Sequence, residues 1–206
     1  PARMLQTESP PCILTAMNAA LRIGALTVLV VGAVLLLSFR PFAGDDRDLA
    51  VATYDARSQD GPPSFPVVEL AAAVHREKSG TMGMIRFLTT HVQRFPEDRN
   101  NGYFLTVVGG LYEEQGASAP ARQYYRRALL RYPDVIVRSL PVHRVAINRL
   151  LEIVDDPGER IFYLRYLRRR YPDEIDHGLT AYYLGKAYEA EARWAEAFES
   201  YRVFLD

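Results

Sequence analysis

A run of 34 residues from Gly102 to Val135 has the spacing of two short helices joined by a turn at Gly116. No other feature of the sequence constrains the fold as strongly. Small residues at helical spacing let two antiparallel helices approach closely, and tyrosines fill the groove between them. Such a hairpin cannot bury both of its faces alone, so the pattern predicts a stack of similar units. The residues that form the pattern are Leu105, Val108, Gly109, Tyr112, Ala121, Tyr125, Ala128 and Pro133.

This spacing resembles the tetratricopeptide repeat. Leu105 stands where that family usually has Trp, and Val108 stands where it usually has Leu. The resemblance implies an all-α solenoid whose concave surface, lined by the first helix of each hairpin, binds other proteins and has no chemistry of its own.

Similar units lie on both sides of this repeat. Pro96, Pro133 and Pro172 occur in the phrases RFPED, RYPD and RYPDE, and aligning the chain on them places the unit starts 37, 39 and 37 residues apart. We therefore expect about four hairpins, near 65–98, 102–135, 141–174 and 178–206. The fourth matches the family well through Leu184, Gly185, Tyr188, Ala197 and Tyr201, whereas the first and third rest on their phase and the shared proline.

A second feature predicts a membrane span. The chain from Ile23 to Phe39 contains no charged residue, and the apolar run extends back to Ala19 past Arg22. A helix over 19–39 is long enough to cross a hydrocarbon core of about 30 Å. A buried helix would normally have a polar stripe, and a cleaved signal peptide would be shorter and have small residues at its end, so an uncleaved anchor is favoured.

The span divides the sequence. Residues 1–18 form an N-terminal tail, and 40–66, rich in aspartate, proline and glycine, read as a polar linker before the solenoid at 67–206. Because the chain begins at Pro1 and stops within a helical pattern, we expect residues to be missing at both ends. Whether the array continues beyond residue 206, and what Cys12 does, are left open.

Projecting the repeat phase gives a candidate partner-binding surface. Tyrosines, a threonine and charged residues of alternating sign line its concave side, which suits a peptide or helix from another protein. An equal alternative is that Tyr103 and Tyr182 simply pack between helices. The predicted residues are Tyr103, Thr106 and Glu113 in the second unit, Arg149 and Glu152 in the third, and Tyr182, Lys186 and Glu189 in the fourth.

Composition argues against several classes of function. The formal net charge is zero, with 25 basic and 25 acidic residues, so a nucleic-acid partner is not expected. No glycine-rich phosphate loop, nucleophile turn or cysteine and histidine cluster is present, so we expect no cofactor, no metal and no enzymatic activity.

The leading hypothesis is a membrane-anchored scaffold that recruits or organises envelope proteins, in the bacterial inner membrane with the solenoid in the periplasm. The alternative is an accessory subunit of a larger integral complex, such as a respiratory, photosynthetic or translocation assembly. In that case Gly24 and Gly32 would let the span pack closely against partner helices. An enzyme with an unrecognised site is a third hypothesis.

Overall fold

Helices make up nearly all of the described chain. The computed structural model describes residues 44–137, 139–174 and 177–205. Apart from one antiparallel pair of two-residue strands and one short 3-10 helix, this part is all-helical, as the sequence predicts. The helices are α1 Gly44–Arg57, α2 Phe65–Arg94, α3 Asn101–Glu114, α4 Ser118–Arg131, α5 Val142–Ile153, α6 Pro157–Arg170, α7 His177–Ala190 and α8 Trp194–Leu205, the strands are β1 Ile136–Val137 and β2 Leu140–Pro141, and the 3-10 helix is Pro172–Glu174.

Helices α3 and α4 form an antiparallel hairpin. Tyr112 near the end of α3 stacks on Tyr124 in the middle of α4, with ring centroids 5.4 Å apart. At the closest point, a Cβ atom on Gly109 would lie 2.7 Å from the Tyr125 ring, so the two helices can approach this closely only because residue 109 has no side chain. Gly185 and Tyr201 repeat the same contact between α7 and α8.

The first hairpin lies within α2. Gly80 has a φ of 67°, which a residue with a side chain adopts only at a cost. The His75 and Phe87 rings stack with centroids 4.6 Å apart, although a continuous helix would separate the two residues by about 18 Å. The chain therefore reverses at Gly80, and α2 consists of two arms, α2a (65–79) and α2b (81–94). Together with α3–α4, α5–α6 and α7–α8, it completes four successive helical hairpins.

The predicted linker at 40–66 contains a helix, α1, which corrects the sequence analysis for this segment. Aspartate is common in turns, but acidic residues in the first turn of a helix are also favoured by the helix dipole. Ala50 and Tyr54 of α1 are buried against the first hairpin. Arg94 donates to the carbonyl oxygen of Ser58 over 2.8 Å and fixes the end of the segment.

A buried polar chain also ties α1 to the hairpin. The Tyr54 hydroxyl lies 3.0 Å from Nδ1 of the fully buried His91, and Nε2 of His91 lies 3.2 Å from Oδ2 of Asp98. An ionised carboxylate only accepts hydrogen bonds, so Nε2 carries the proton and Nδ1 accepts from Tyr54. Burial alone would raise the pKa of Asp98, but the hydrogen bonds from His91 and Asn100 hold it below its usual value.

The tyrosine and proline residues of the segments that align the repeats also form hydrogen bonds between neighbouring units. The Tyr132 hydroxyl donates to the carbonyl oxygen of Pro96 over 2.6 Å, and the Tyr171 hydroxyl donates to that of Pro133 over 2.8 Å. Each tyrosine thus reaches the proline of the preceding unit. The arginine before Tyr171 likewise pairs with the aspartate after Pro133, with Arg170 Nη2 2.7 Å from Asp134 Oδ2.

The apolar core is distributed along the stack. One cluster joins α1, the first hairpin and α3 and reaches Ala128 of α4 and Val142 of α5. A second joins α4, α5 and α6, and a third joins α6, α7 and α8. Leu129, Ile147 and Tyr163 in the second cluster are fully buried. Each unit therefore depends on its neighbours for the burial of its faces.

No helix among the described residues is long and apolar enough to cross a membrane. The predicted span at 19–39, the tail at 1–18, and the residues Cys12, Gly24 and Gly32 lie outside the described residues.

We expect the inter-unit tyrosine bonds to stabilise the stack. Tyr132→Phe and Tyr171→Phe should each lower the free energy of unfolding by about 0.5 to 1.5 kcal/mol, because each removes the donor to a proline carbonyl. Tyr183→Phe is the matched control, since that side chain is 47% exposed. Urea denaturation followed by circular dichroism measures the difference, and equal midpoints for the three variants would contradict this account.

Gly109→Ala should destabilise the second hairpin by about 1 to 3 kcal/mol, because the added methyl group meets the Tyr125 ring. Gly110→Ala provides the control, since its nearest neighbour would be the Tyr125 hydroxyl at 3.6 Å. That change should raise helix propensity and increase stability by up to about 1 kcal/mol. Thermal melts of the two variants should therefore shift in opposite directions.

Candidate partner-binding surface

The first helices of the four hairpins are α2a, α3, α5 and α7. All eight predicted binding residues lie on α3, α5 and α7. We call the surface that these eight residues form the first-helix surface. It is continuous from α3 to α5, because Arg149 on α5 reaches Glu113 on α3, 36 residues earlier.

Three of the predicted residues form one ion-pair network. Glu113 Oε2 lies 3.1 Å from Nε of Arg149, and Nη1 of Arg149 lies 2.5 Å from Oε2 of Glu152. The Tyr125 hydroxyl donates a short hydrogen bond to the same Glu113 oxygen. Burial, together with the Glu113 carboxylate, raises the pKa of Tyr125, so its hydroxyl remains a donor. Arg149 is shared by two carboxylates, so the three side chains are paired within the chain and keep one net negative charge.

The fourth unit contains a similar but smaller network. The Tyr201 hydroxyl donates to Glu189 Oε2 over 2.7 Å, and Lys186 Nζ lies 3.5 Å from the same oxygen. The hydrogen bond from Tyr201 and the charge of Lys186 lower the pKa of Glu189. Burial and the bond to Glu189 raise the pKa of Tyr201 to about 12.

Tyr103 and Tyr182 are half-buried. Tyr103 packs edge-on against Phe65 with ring centroids 5.1 Å apart, and Tyr182 packs against Phe204 at 5.3 Å. The Thr106 hydroxyl donates to the Gly102 carbonyl oxygen of its own helix over 2.9 Å. Both tyrosines contribute to packing and keep part of each ring open, so the two predicted roles are compatible in this arrangement.

The surface combines partly open aromatic rings with carboxylates and cations that are already paired. Within the described residues, no group of three histidine, cysteine, aspartate or glutamate side chains is placed to hold a metal ion. His75 and His143 are each stacked on an aromatic ring, and His91 is enclosed by Tyr54 and Asp98.

A separate open groove of about 400 Å³ lies between α6, α7 and α8. Its lining includes Arg168, Leu184, Tyr188 and Glu199 and none of the predicted binding residues. The predicted surface and this groove are therefore distinct features of the chain.

The tyrosine and glutamate pairs were not predicted, although the sequence contains a spacing that both pairs share. A glycine, a glutamate four residues later and a tyrosine twelve residues after that occur as Gly109, Glu113 and Tyr125, and again as Gly185, Glu189 and Tyr201. The glycine admits the tyrosine ring, and the ring directs its hydroxyl onto the glutamate. The shared spacing therefore encodes one structural unit.

Comparison with known proteins identifies no family for this chain. No protein-family model matches the chain, and neither does any curated protein. Among solved structures, the chain is similar to the crystal structure of MamA, with 17% sequence identity and a TM-score of 0.43 over 78% of this chain and 88% of that chain. The assignment of a tetratricopeptide-like arrangement rests on the helices and contacts described above.

A double-mutant cycle on Glu113→Gln and Arg149→Met should give a coupling energy of about 0.5 to 3 kcal/mol, because both groups are largely shielded from water. Glu199 and Arg202 form the control pair, since both side chains are mostly exposed. Their coupling should be about 0.5 kcal/mol or less. Equal coupling in the two cycles would show that the Glu113 network is only a surface ion pair.

Proposed function

We propose that this chain is a protein-binding scaffold that acts through its first-helix surface. The observation that supports this proposal best is the continuous surface from α3 to α5, on which Arg149 pairs with both Glu113 and Glu152. The chain itself holds these three groups in place, and together they present one net negative charge to a partner. The open parts of Tyr103 and Tyr182 are suited to apolar contact, and tyrosines are frequent hot spots at protein interfaces.

We further propose that the scaffold is held at a bacterial inner membrane by residues 19–39 and that its repeats lie in the periplasm. The support for this part is the uncharged run from Ile23 to Phe39. An anchor would raise the effective concentration of the surface near membrane and envelope proteins. The lipid bilayer is then a second partner of the chain.

The second candidate is an accessory subunit of a larger integral membrane complex. Gly24 and Gly32 favour it, because their spacing of eight residues would place two small side chains on one face of the span. In this case the span binds the complex, and the repeats contribute less to assembly.

Replacing Tyr103, Tyr182 and Lys186 together by Ala should weaken capture of the partners that co-purify in mild detergent, because each tyrosine can contribute about 2 kcal/mol of binding. The control is Arg127→Ala, Leu130→Ala and Arg165→Ala, which alters three exposed residues on second helices. Circular dichroism checks that both triple variants fold.

Exchanging residues 23–39 for an unrelated apolar helix distinguishes the two candidates. A scaffold should keep its partners after the exchange and lose them in the Tyr103, Tyr182 and Lys186 variant, whereas a built-in subunit should show the reverse. Quantitative mass spectrometry of the co-purified proteins measures both outcomes. Retention of every partner by both variants would contradict both candidates.

A further inference from the structure

Arginine is concentrated on two neighbouring second helices. The whole chain has 25 basic and 25 acidic residues, but α4 and α6 together contain nine arginines and one acidic residue, Glu159. In α8, by contrast, Arg202 pairs with Glu199 of the same helix. Helices α4 and α6 lack the acidic residues for such pairs, so their positive charge is not balanced within the two helices.

The two helices lie side by side. The Tyr166 hydroxyl of α6 is 3.4 Å from the carbonyl oxygen of Leu129 on α4. Exposed residues at spacings of three and four share one side of each helix. We call the surface that they form the arginine surface. It consists of Arg126, Arg127 and Leu130 of α4 and of Phe162, Arg165 and Arg169 of α6.

Stacking of the units does not cover the arginine surface. Helix α4 buries Leu129 against the hairpin that follows it, and α6 buries Ile161 and Leu164 against α7 and α8. Both of these following hairpins belong to the described chain. The six residues of the arginine surface remain open beside them.

Few carboxylates reach this surface. Glu159 lies 3.8 Å from Arg126 and is shared with a second arginine of α4. Among the side chains that the structure describes, Arg127, Arg165 and Arg169 have no carboxylate within ion-pair distance. The surface therefore keeps a positive charge that these side chains do not neutralise.

This arrangement costs stability that the hairpin fold does not require. Like charges four residues apart destabilise a helix. The second helix of the first hairpin, α2b, has no two arginines at that spacing. A local cost without a structural gain is typical of a functional site. The arginines of α4 and α6 that lie four residues apart are Arg122 with Arg126, Arg127 with Arg131, and Arg165 with Arg169.

Two apolar side chains lie among these arginines. Leu130 is 42% exposed and Phe162 is 41% exposed. At a bilayer surface, basic residues contact the anionic headgroups, while leucine and phenylalanine enter the boundary between headgroups and acyl chains. An anionic bilayer therefore uses both kinds of side chain on this surface.

The shape of this region also favours a bilayer over a peptide. A bound peptide usually lies in a groove or along the edge of a sheet. The open groove of this region lies between α6, α7 and α8, and no described residue of α4 lines it. The arginine surface consists instead of exposed side chains on two adjacent helices, which can contact several headgroups at once.

We propose that the arginine surface binds the anionic headgroups of a lipid bilayer. The planar guanidinium group donates two parallel hydrogen bonds to phosphate oxygens, and Leu130 and Phe162 enter the interface between the headgroups. This contact involves neither residues 19–39 nor the first-helix surface. Because it lies on second helices, it leaves the first-helix surface open to a protein partner.

A fluorescent probe on α4 tests for contact with lipid. Gln123 is exposed on the same side of α4, so a label there leaves the arginine surface unchanged. The full chain with Cys12→Ser and Gln123→Cys is labelled with NBD and placed in nanodiscs of phosphatidylcholine, with or without phosphatidylglycerol. A lipid with a spin-labelled headgroup should quench the probe about twofold more when phosphatidylglycerol is present, and added salt should reduce this difference. A label at Tyr183→Cys on α7 should show no such difference.

Removing part of the arginine surface should release the lipid. Arg127→Ala, Leu130→Ala and Arg165→Ala together should lower the equilibrium constant for the contact about tenfold or more, because each arginine near an anionic surface contributes about fivefold. The matched control removes the same types of exposed side chain elsewhere and should leave the quenching unchanged. It carries Arg57→Ala, Leu70→Ala and Arg99→Ala. Circular dichroism checks that both variants fold.

The arginine variant also distinguishes lipid from other partners. In mild detergent, where no bilayer is present, it should keep the captured proteins, and their loss would assign the surface to an acidic protein and overturn the proposal. A change in NBD emission on adding an oligonucleotide without lipid would assign the surface to nucleic acid. Equal quenching in both kinds of nanodisc, or a difference that the variant retains, would also overturn the proposal. The Tyr103, Tyr182 and Lys186 variant should keep the lipid contact, so the first-helix surface is tested independently.

Discussion

The first three units are joined by tyrosine hydroxyls, each of which reaches a proline carbonyl in the unit before it. A buried carbonyl without a donor is costly. Tyr132 and Tyr171 supply these donors to Pro96 and Pro133. A shift in the stacking would leave both the hydroxyl and the carbonyl unpaired. These two bonds therefore favour one register at the first two unit interfaces, which the apolar clusters also bury.

Tyrosine has a different structural role inside a hairpin. Tyr125 and Tyr201 enter the space left by a glycine and direct their hydroxyls onto Glu113 and Glu189. Packing within a unit thus determines where carboxylates stand on the first-helix surface. Because these carboxylates are held by the chain itself, their geometry is fixed in advance, and a partner that bound there as proposed would cost them little side-chain entropy.

Local chemistry explains how much could be predicted from the sequence. Gly109 and Tyr125 reveal their hairpin because a close helix contact needs a small residue at a defined distance from a large one. The hairpin in α2 was placed only by phase, since its reversal depends on Gly80 alone and leaves no loop. The partners of Glu113 were not predictable, because Arg149 is 36 residues away and reaches it only after the units stack. Helix α1 was missed because its aspartates favour both turns and helix starts.

The contacts of α1 have a mechanical consequence. Its first residues are held by ion pairs, from Arg47 to Glu77 and from Asp48 to Lys78, whereas Tyr54 farther along is held in a buried hydrogen-bonded chain with His91. A tension applied from the N-terminal side would load the ion pairs first and the buried chain last. The repeats would stay connected through Tyr54 after the ion pairs had opened. Under a pull from that side, helix α1 would therefore separate from the first hairpin in two stages.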